Sequence, residues 1–136
     1  MLKIVLGVIA GFVAWSVLWI GSDQVLIMAS PSWYGIHQDN FQLAMTNQDP
    51  FRADTTILVM NLVRAVIISI MAGFLSAFVA AENRRTPLIL GILLFAFGLM
   101  VEIMAWNYLP IWYHVVFLAL LIPFTVLGGK LKTTSA

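Results

Sequence analysis

Cysteine is absent from all 136 residues, which excludes disulfide bonds, thiolate metal sites and thiol redox chemistry. Charge is scarce as well. Asp, Glu, Lys and Arg make up 10% of the chain, against about 25% in a typical soluble domain. Hydrophobic residues make up 62%, and the mean hydropathy is +0.99. Such a composition indicates an integral membrane protein, and the length allows one domain over residues 1–136.

The sequence also lacks the motifs that mark enzymes. It has no GxSxG, no HExxH, no Gly-rich phosphate loop and no pair of carboxylates on one helix. No HxxxH or ExxH spacing suggests a metal site, so we predict a non-catalytic protein without metal or cofactor. Because Arg84 and Arg85 form the only basic cluster, no nucleic-acid partner is expected.

Four long apolar stretches are what the chain does contain. They cover residues 4–28, 57–81, 88–108 and 111–127. A helix that crosses a bilayer needs about 20 apolar residues, so each stretch is long enough or nearly so. The first is too long for the apolar region of a signal peptide, which has about 7–15 residues. We therefore predict an all-α, four-helix transmembrane bundle with an uncleaved first helix.

Proline and capping residues predict where these helices begin. Asp49-Pro50 is typical of an N-cap followed by proline in the first turn, which would start the second helix before the membrane. Thr86-Pro87 repeats the pattern before the third span. Pro123 lies inside the fourth span and predicts a kink, because proline removes a backbone donor and clashes one turn back.

The distribution of basic residues predicts the topology. If four helices alternate, Arg52 lies on one side and five other basic residues lie on the opposite side: Lys3, Arg84, Arg85, Lys130 and Lys132. Basic residues concentrate in cytoplasmic segments, so both termini are expected in the cytoplasm. One outer loop of about 25 residues then connects the first two spans.

That outer loop, residues 29–56, is the one sizeable polar region. Residues 31–35 are typical of a turn with aromatic side chains at headgroup level. Phe41, Leu43, Ala44 and Met45 lie among polar residues in a pattern that favours a short helix on the interface or over the bundle. The loop is either an ordered connector or a lid or docking surface for an outside partner.

Small residues predict close helix contacts, since lipid offers no hydrophobic drive for helix association. Gly7 and Gly11 form a GxxxG pair in the first span. The second span carries two ladders at spacing four, formed by Ser69, Gly73, Ala77 and Ala81 and by Ala72, Ser76 and Ala80. The second helix is therefore expected at the centre of the bundle. Contacts within the chain and homodimerisation both remain open.

Two charged residues interrupt the apolar stretches. A charge at the centre of a membrane helix costs about 2.5–3.5 kcal/mol on insertion scales, so Arg64 and Glu102 require an explanation. At about 1.5 Å per residue, both lie roughly 10 Å below the outer interface. His114 and Asn61 lie at similar depth, and Asp23 is near the outer end of the first helix. All four helices therefore bring polar groups to the outer half.

We predict that Arg64 and Glu102 form an ion pair, with Asn61, His114 and Asp23 around it. Two interpretations remain open. In the first interpretation, the pair is a structural brace, and breaking such a buried pair costs about 3–5 kcal/mol. Alternatively, the residues form an outward-facing pocket for a small polar ligand, an ion or a lipid headgroup, in which Arg64 binds an anionic group.

For function, we expect a small multi-pass protein of a bacterial inner membrane. The leading expectation is a non-catalytic accessory, assembly or interaction protein, because the short polar segments leave little room for enzyme machinery. The alternative is a small homo-oligomeric transporter or ligand-binding protein that uses the polar pocket. Besides the lipid bilayer, the expected partner is another membrane protein or a second copy of this chain.

Overall fold

The computed structural model describes residues 2–48 and 51–132, and the regular elements in these ranges are all helical. They are helices α1 to α5 and one π-helical turn: α1 Leu2–Ala29, the turn Pro31–Gly35, α2 Ile36–Asn47, α3 Thr55–Ala80, α4 Arg85–Met104 and α5 Ile111–Leu131. In this described part, α1, α3, α4 and α5 are long and apolar enough to cross a membrane. The predicted all-α bundle of four apolar helices is confirmed.

The long helices alternate in direction, which gives the bundle two different ends. At the loop end, α1 and α4 finish while α3 and α5 begin, and the π-helical turn and α2 lie there too. Helix α3 packs against α1, α4 and α5. Its predicted position at the centre of the bundle is therefore confirmed, and Arg64 lies on this central helix.

Small residues let the helix backbones approach each other closely. A Cβ added to Gly7 would lie 2.5 Å from the Ser76 carbonyl oxygen, and one added to Gly11 would lie 2.4 Å from Leu90. A Cβ on Gly73 would lie 2.0 Å from the carbonyl oxygen of Thr125. The small faces predicted from sequence are thus used for contacts within one chain, between α1 and α3 and between α3 and α5.

The Gly73 contact predicts a strong effect of one added methyl group. Because the obstructing atom is backbone, Gly73→Ala should push α3 and α5 apart and destabilise the fold by about 1–3 kcal/mol, as overpacking does. Gly21→Ala is the matched control, since nothing lies within 4 Å of its added Cβ. The free energies of unfolding of the two variants are measured in mixed micelles. Equal stability of the two variants would contradict the close crossing of α3 and α5.

The start of α3 differs from the prediction. The expected cap at Asp49-Pro50 lies outside the described residues, but residues 51–54 are not helical and α3 begins at Thr55. Asp54 is the N-cap, and its Oδ1 accepts a hydrogen bond from the Thr56 backbone N–H at 2.8 Å. The hydrogen bond from the Trp33 indole is the main cause that lowers the pKa of Asp54, and the Thr56 bond adds to it. An aspartate four residues after Pro50 therefore starts this helix.

The start of α4 also differs in detail. The helix begins at Arg85, and Glu82 rather than Thr86 satisfies its first backbone N–H groups. The Glu82 carboxylate accepts from the backbone of Arg84, Arg85 and Thr86. Desolvation by burial raises the pKa of Glu82, but these hydrogen bonds outweigh it and leave that pKa below its usual value.

This cap predicts a pH dependence of stability. A carboxylate whose pKa is lowered by folding stabilises the protein above its unfolded-state pKa and loses that effect as pH falls through the folded-state pKa. Glu82→Gln should therefore cost about 1 kcal/mol at neutral pH, as loss of a cap does, and much less in acid. Unfolding free energies at neutral and acidic pH measure this. A cost that persists unchanged in acid would contradict the carboxylate cap.

Two further expectations concern α2 and α5. Helix α2 at Ile36–Asn47 confirms the short helix predicted around Phe41. Pro123 lies inside α5, which continues to Leu131, and the kink expected there stays a prediction. Gln48 ends α2 and Ala81 ends α3, each with a left-handed backbone and a φ of 57° and 55° respectively.

Candidate functional site

Arg64 joins three parts of the bundle through its guanidinium group. It donates to the α1 backbone at Trp19 O (2.8 Å) and to Ser22 Oγ from both Nη2 (2.9 Å) and Nε (3.1 Å). Its Nη1 donates to Asn61 Oδ1 on α3 (2.9 Å) and to the Tyr34 hydroxyl of the π-helical turn (3.0 Å). The cost of burying the charge is therefore offset by hydrogen bonds within the protein.

Asp23 supplies the counter-charge for Arg64. Its Oδ1 lies 3.8 Å from Arg64 Nη1 and also accepts from the Tyr34 hydroxyl and from Gln38 Nε2, the latter at 3.2 Å. Burial, together with the hydrogen bond to Asp23, raises the pKa of Tyr34 above its usual range. The Arg64 guanidinium also lies 4.2 Å from the centre of the Trp19 ring, a cation–π contact.

The predicted ion pair between Arg64 and Glu102 is wrong. Within the described residues, Arg64 pairs with Asp23 and Glu102 pairs with His114. The sequence places the two charges at one depth, but depth does not determine the direction in which a side chain leaves its helix. Arg64 points from α3 to α1, whereas Glu102 points from α4 to α5.

Glu102 and His114 form the second pair, and it is more deeply buried. His114 has 0% relative exposure and Glu102 5%. Glu102 Oε2 contacts His114 Nδ1, while His114 Nε2 lies 3.3 Å from the carbonyl oxygen of Trp106. The indole of Trp106 stacks on the imidazole with ring centres 4.6 Å apart. The imidazole therefore has an oxygen partner at each nitrogen.

A cavity of about 390 Å³ lies at the loop end of the bundle, between α1 and α4. Its walls are mainly aromatic and aliphatic, and they include Trp15, Trp19, Phe97, Leu94, Phe117 and Leu121. Polar groups reach it from Asn61, Glu102, Tyr113, Gln38 and His37. Val101 and Met104 line it too and are exposed on α4, so the cavity reaches the surface of the bundle.

Helix α2 covers this cavity with one side. Phe41 and Met45 line it, and both also border a polar groove of about 520 Å³ beside the end of α1. Two side-chain contacts attach α2 to the bundle. Gln38 donates to Asp23, and His37 Nε2 accepts from the Asp54 backbone N–H at 3.2 Å. The described part of the segment between α1 and α3 therefore covers the cavity, and either a lid or a connector fits this position.

The five predicted site residues divide into two groups. Arg64 and Asp23 belong to the first pair, Glu102 and His114 to the second, and Asn61 touches both regions because it accepts from Arg64 and lines the cavity. Sequence reasoning missed Ser22 and Tyr34 as partners of Arg64. Ser22 lies directly before Asp23, a signal that was available; Tyr34 gave none, because only the fold brings it to α1.

Metal binding has no support among the residues described. In 2–48 and 51–132, no group of three or more His, Asp or Glu side chains is arranged to hold a metal ion. The Glu102–His114 pair supplies two potential ligands, and the cavity lining adds the His37 imidazole, which already contacts Gln38 and the Asp54 backbone.

Comparisons with protein-family models, with curated protein sequences and with solved structures found no match to this chain. The class of protein is therefore inferred from the helices of the chain itself. Four long apolar helices, with two charge pairs and a cavity at one end, are compatible with a small multi-pass membrane protein.

The Arg64 contacts predict a large loss of stability on substitution. Arg64→Gln leaves the Asp23 carboxylate without its cation and should lower the free energy of unfolding by about 3 kcal/mol. Arg52→Gln is the matched control, because Arg52 is exposed and should change stability by less than about 0.5 kcal/mol. Denaturation of the purified protein in mixed micelles measures both. If the two variants were equally stable, Arg64 would not join α1 to α3.

Proposed function

We propose that this protein is a non-catalytic ligand-binding protein of a bacterial inner membrane, with both termini in the cytoplasm. The cavity at the loop end carries the proposal. Its volume of about 390 Å³ lies within the range of roughly 300–1,000 Å³ that is typical of small-molecule sites. A mainly apolar wall with a few convergent polar groups is the usual composition of such sites.

The ligand is amphipathic, with an apolar body and one small polar group. The apolar body matches the walls formed by α1, α4 and α5, and the polar group matches Asn61, Glu102 and Tyr113. Exposed Val101 and Met104 support entry from the lipid beside α4. A bundle of four helices encloses this binding site but no complete pathway, so transport by this chain would require a homo-oligomer.

An accessory or assembly role is the second candidate, and a different observation favours it. Trp33, Ile36 and Leu43 are large apolar residues on the segment between α1 and α3, and all three are exposed, at 41%, 51% and 58%. Neither the π-helical turn nor α2 is long enough to cross a membrane. Exposed apolar side chains outside the membrane favour contact with another protein or with the lipid surface.

Native mass spectrometry of the protein, extracted gently from its own membranes, tests the proposed function. We expect a monomer or homo-oligomer that carries an additional small mass. Ala105→Leu should remove that mass, because Ala105 lines the cavity and is 4% exposed. Ala119→Leu is the matched control, since Ala119 is exposed on α5.

The same spectra separate the two candidates. A small mass that persists in Ala105→Leu would show that the ligand does not occupy this cavity. A heteromeric complex without any small mass would contradict ligand binding and support the accessory role.

A further inference from the structure

The cavity has a pronounced charge preference. Among its described lining residues, Glu102 carries the only carboxylate, and none of them is Lys or Arg. Arg64 is not among these lining residues, and its charge is balanced by Asp23 on α1, whose Oδ1 lies 3.8 Å from Arg64 Nη1. The expectation that Arg64 binds an anionic ligand is therefore disfavoured, and the cavity is complementary to a cation.

One carboxylate oxygen is available to such a cation. Glu102 Oε2 contacts His114, whereas Oε1 accepts no hydrogen bond from the described residues. Since Glu102 lines the cavity, Oε1 is the atom that a ligand can reach there.

The aromatic walls also suit a cation. Trp15 lines the cavity and stacks on Trp19, with ring centres 5.3 Å apart. Phe97, Tyr113 and Phe117 supply further rings on the other walls. Aromatic faces attract organic cations through their quadrupole, and aromatic cages are used to recognise quaternary ammonium groups.

His114 adds a proton to this site. Its Nε2 faces the Trp106 carbonyl oxygen, which can only accept, so this nitrogen carries hydrogen. Its Nδ1 faces Glu102 Oε2, and a contact between these two atoms needs one further proton between them. Whichever atom holds that proton, the Glu102–His114 pair has no net charge.

We infer that the cavity binds a monovalent lipophilic organic cation, and that each bound cation displaces the proton shared by Glu102 and His114. This inference rests on the proposed function and specifies its ligand class. The shared proton leaves the Glu102–His114 pair for the solvent, and the cation takes its place beside the Glu102 carboxylate. The site is neutral before and after the exchange, which avoids an uncompensated charge in an apolar environment.

Other titratable groups near the pair have partners of their own. His37 on α2 bonds to Gln38 and to the Asp54 backbone. Tyr113 lies beside His114 on α5, and Arg64 on α3 is paired with Asp23 on α1. The exchange is therefore assigned to Glu102 and His114.

Isothermal titration calorimetry of the purified wild-type protein provides the first test. The probe is tetraphenylphosphonium, and its control is tetraphenylborate, an anion of similar size and shape. We expect the phosphonium to bind and the borate not to bind. The phosphonium Kd should fall by up to about tenfold per pH unit as pH rises, because a proton competes for the site. Titrations in buffers of different ionisation enthalpy should report about one proton released per cation.

Variants locate the exchange. Glu102→Gln should weaken phosphonium binding at least tenfold, whereas Asp39→Asn is the matched control, since Asp39 is an exposed carboxylate on α2. His114→Gln should still bind the phosphonium, and its affinity should still fall as pH falls, because the proton then competes for the Glu102 carboxylate alone. If Glu102→Gln fails to fold, the comparison of phosphonium and borate binding to the wild-type protein tests the preference for a cation without that variant.

Two results would overturn the inference: borate binding as tight as phosphonium binding, or phosphonium binding to wild-type protein without proton release. Neither result would remove the proposed function. Native mass spectrometry would still detect a neutral or anionic ligand as a small mass on the wild-type protein that is lost in Ala105→Leu. Absence of any small mass in that experiment would instead remove the proposed function itself.

Discussion

The structure depends on how one guanidinium group is satisfied inside an apolar bundle. Arg64 cannot leave its hydrogen-bond donors unpaired there, so the protein must bring acceptors to it. Those acceptors come from α1 at Trp19 and Ser22 and from the π-helical turn at Tyr34. These contacts determine how α1 lies along α3. They also hold the turn, and with it the start of α2, against the end of the bundle.

The environment of the Glu102–His114 pair depends on this arrangement. Because Asp23 neutralises Arg64 on the α1 side, the positive charge is directed away from the cavity. Glu102 is then paired with His114 rather than with a permanent cation. An arginine partner would hold the carboxylate ionised and occupied, whereas a histidine can give up a proton. The separation of the charges into two pairs is thus what makes a cation site chemically reasonable.

The sequence predicted much of this fold and less of the site. Length and hydropathy identify α1, α3, α4 and α5, and the small residues on α3 indicate its central position. Residue counts also place Arg64 and Glu102 in the same half of the bundle, towards the loop end. The partner of each charge does not, because hydropathy carries no information about rotation around a helix axis. Tyr34 was missed for a related reason, because its contacts with Arg64 and Asp23 exist only after separate segments have folded. Glu82 was missed for a different reason: its contacts with residues 84–86 are local, but glutamate is not among the usual N-cap residues.

The most direct measurement is ¹⁵N NMR of the His114 imidazole, recorded in lipid nanodiscs on the wild-type protein and assigned by comparison with the spectrum of His114→Gln. Without ligand, we expect hydrogen on Nε2 and a proton shared at Nδ1 with the Glu102 carboxylate. After tetraphenylphosphonium is added, Nδ1 should take the shift of a bare nitrogen while Nε2 keeps its hydrogen. An imidazole whose two nitrogen shifts do not change on saturation with the cation would contradict proton displacement at this pair.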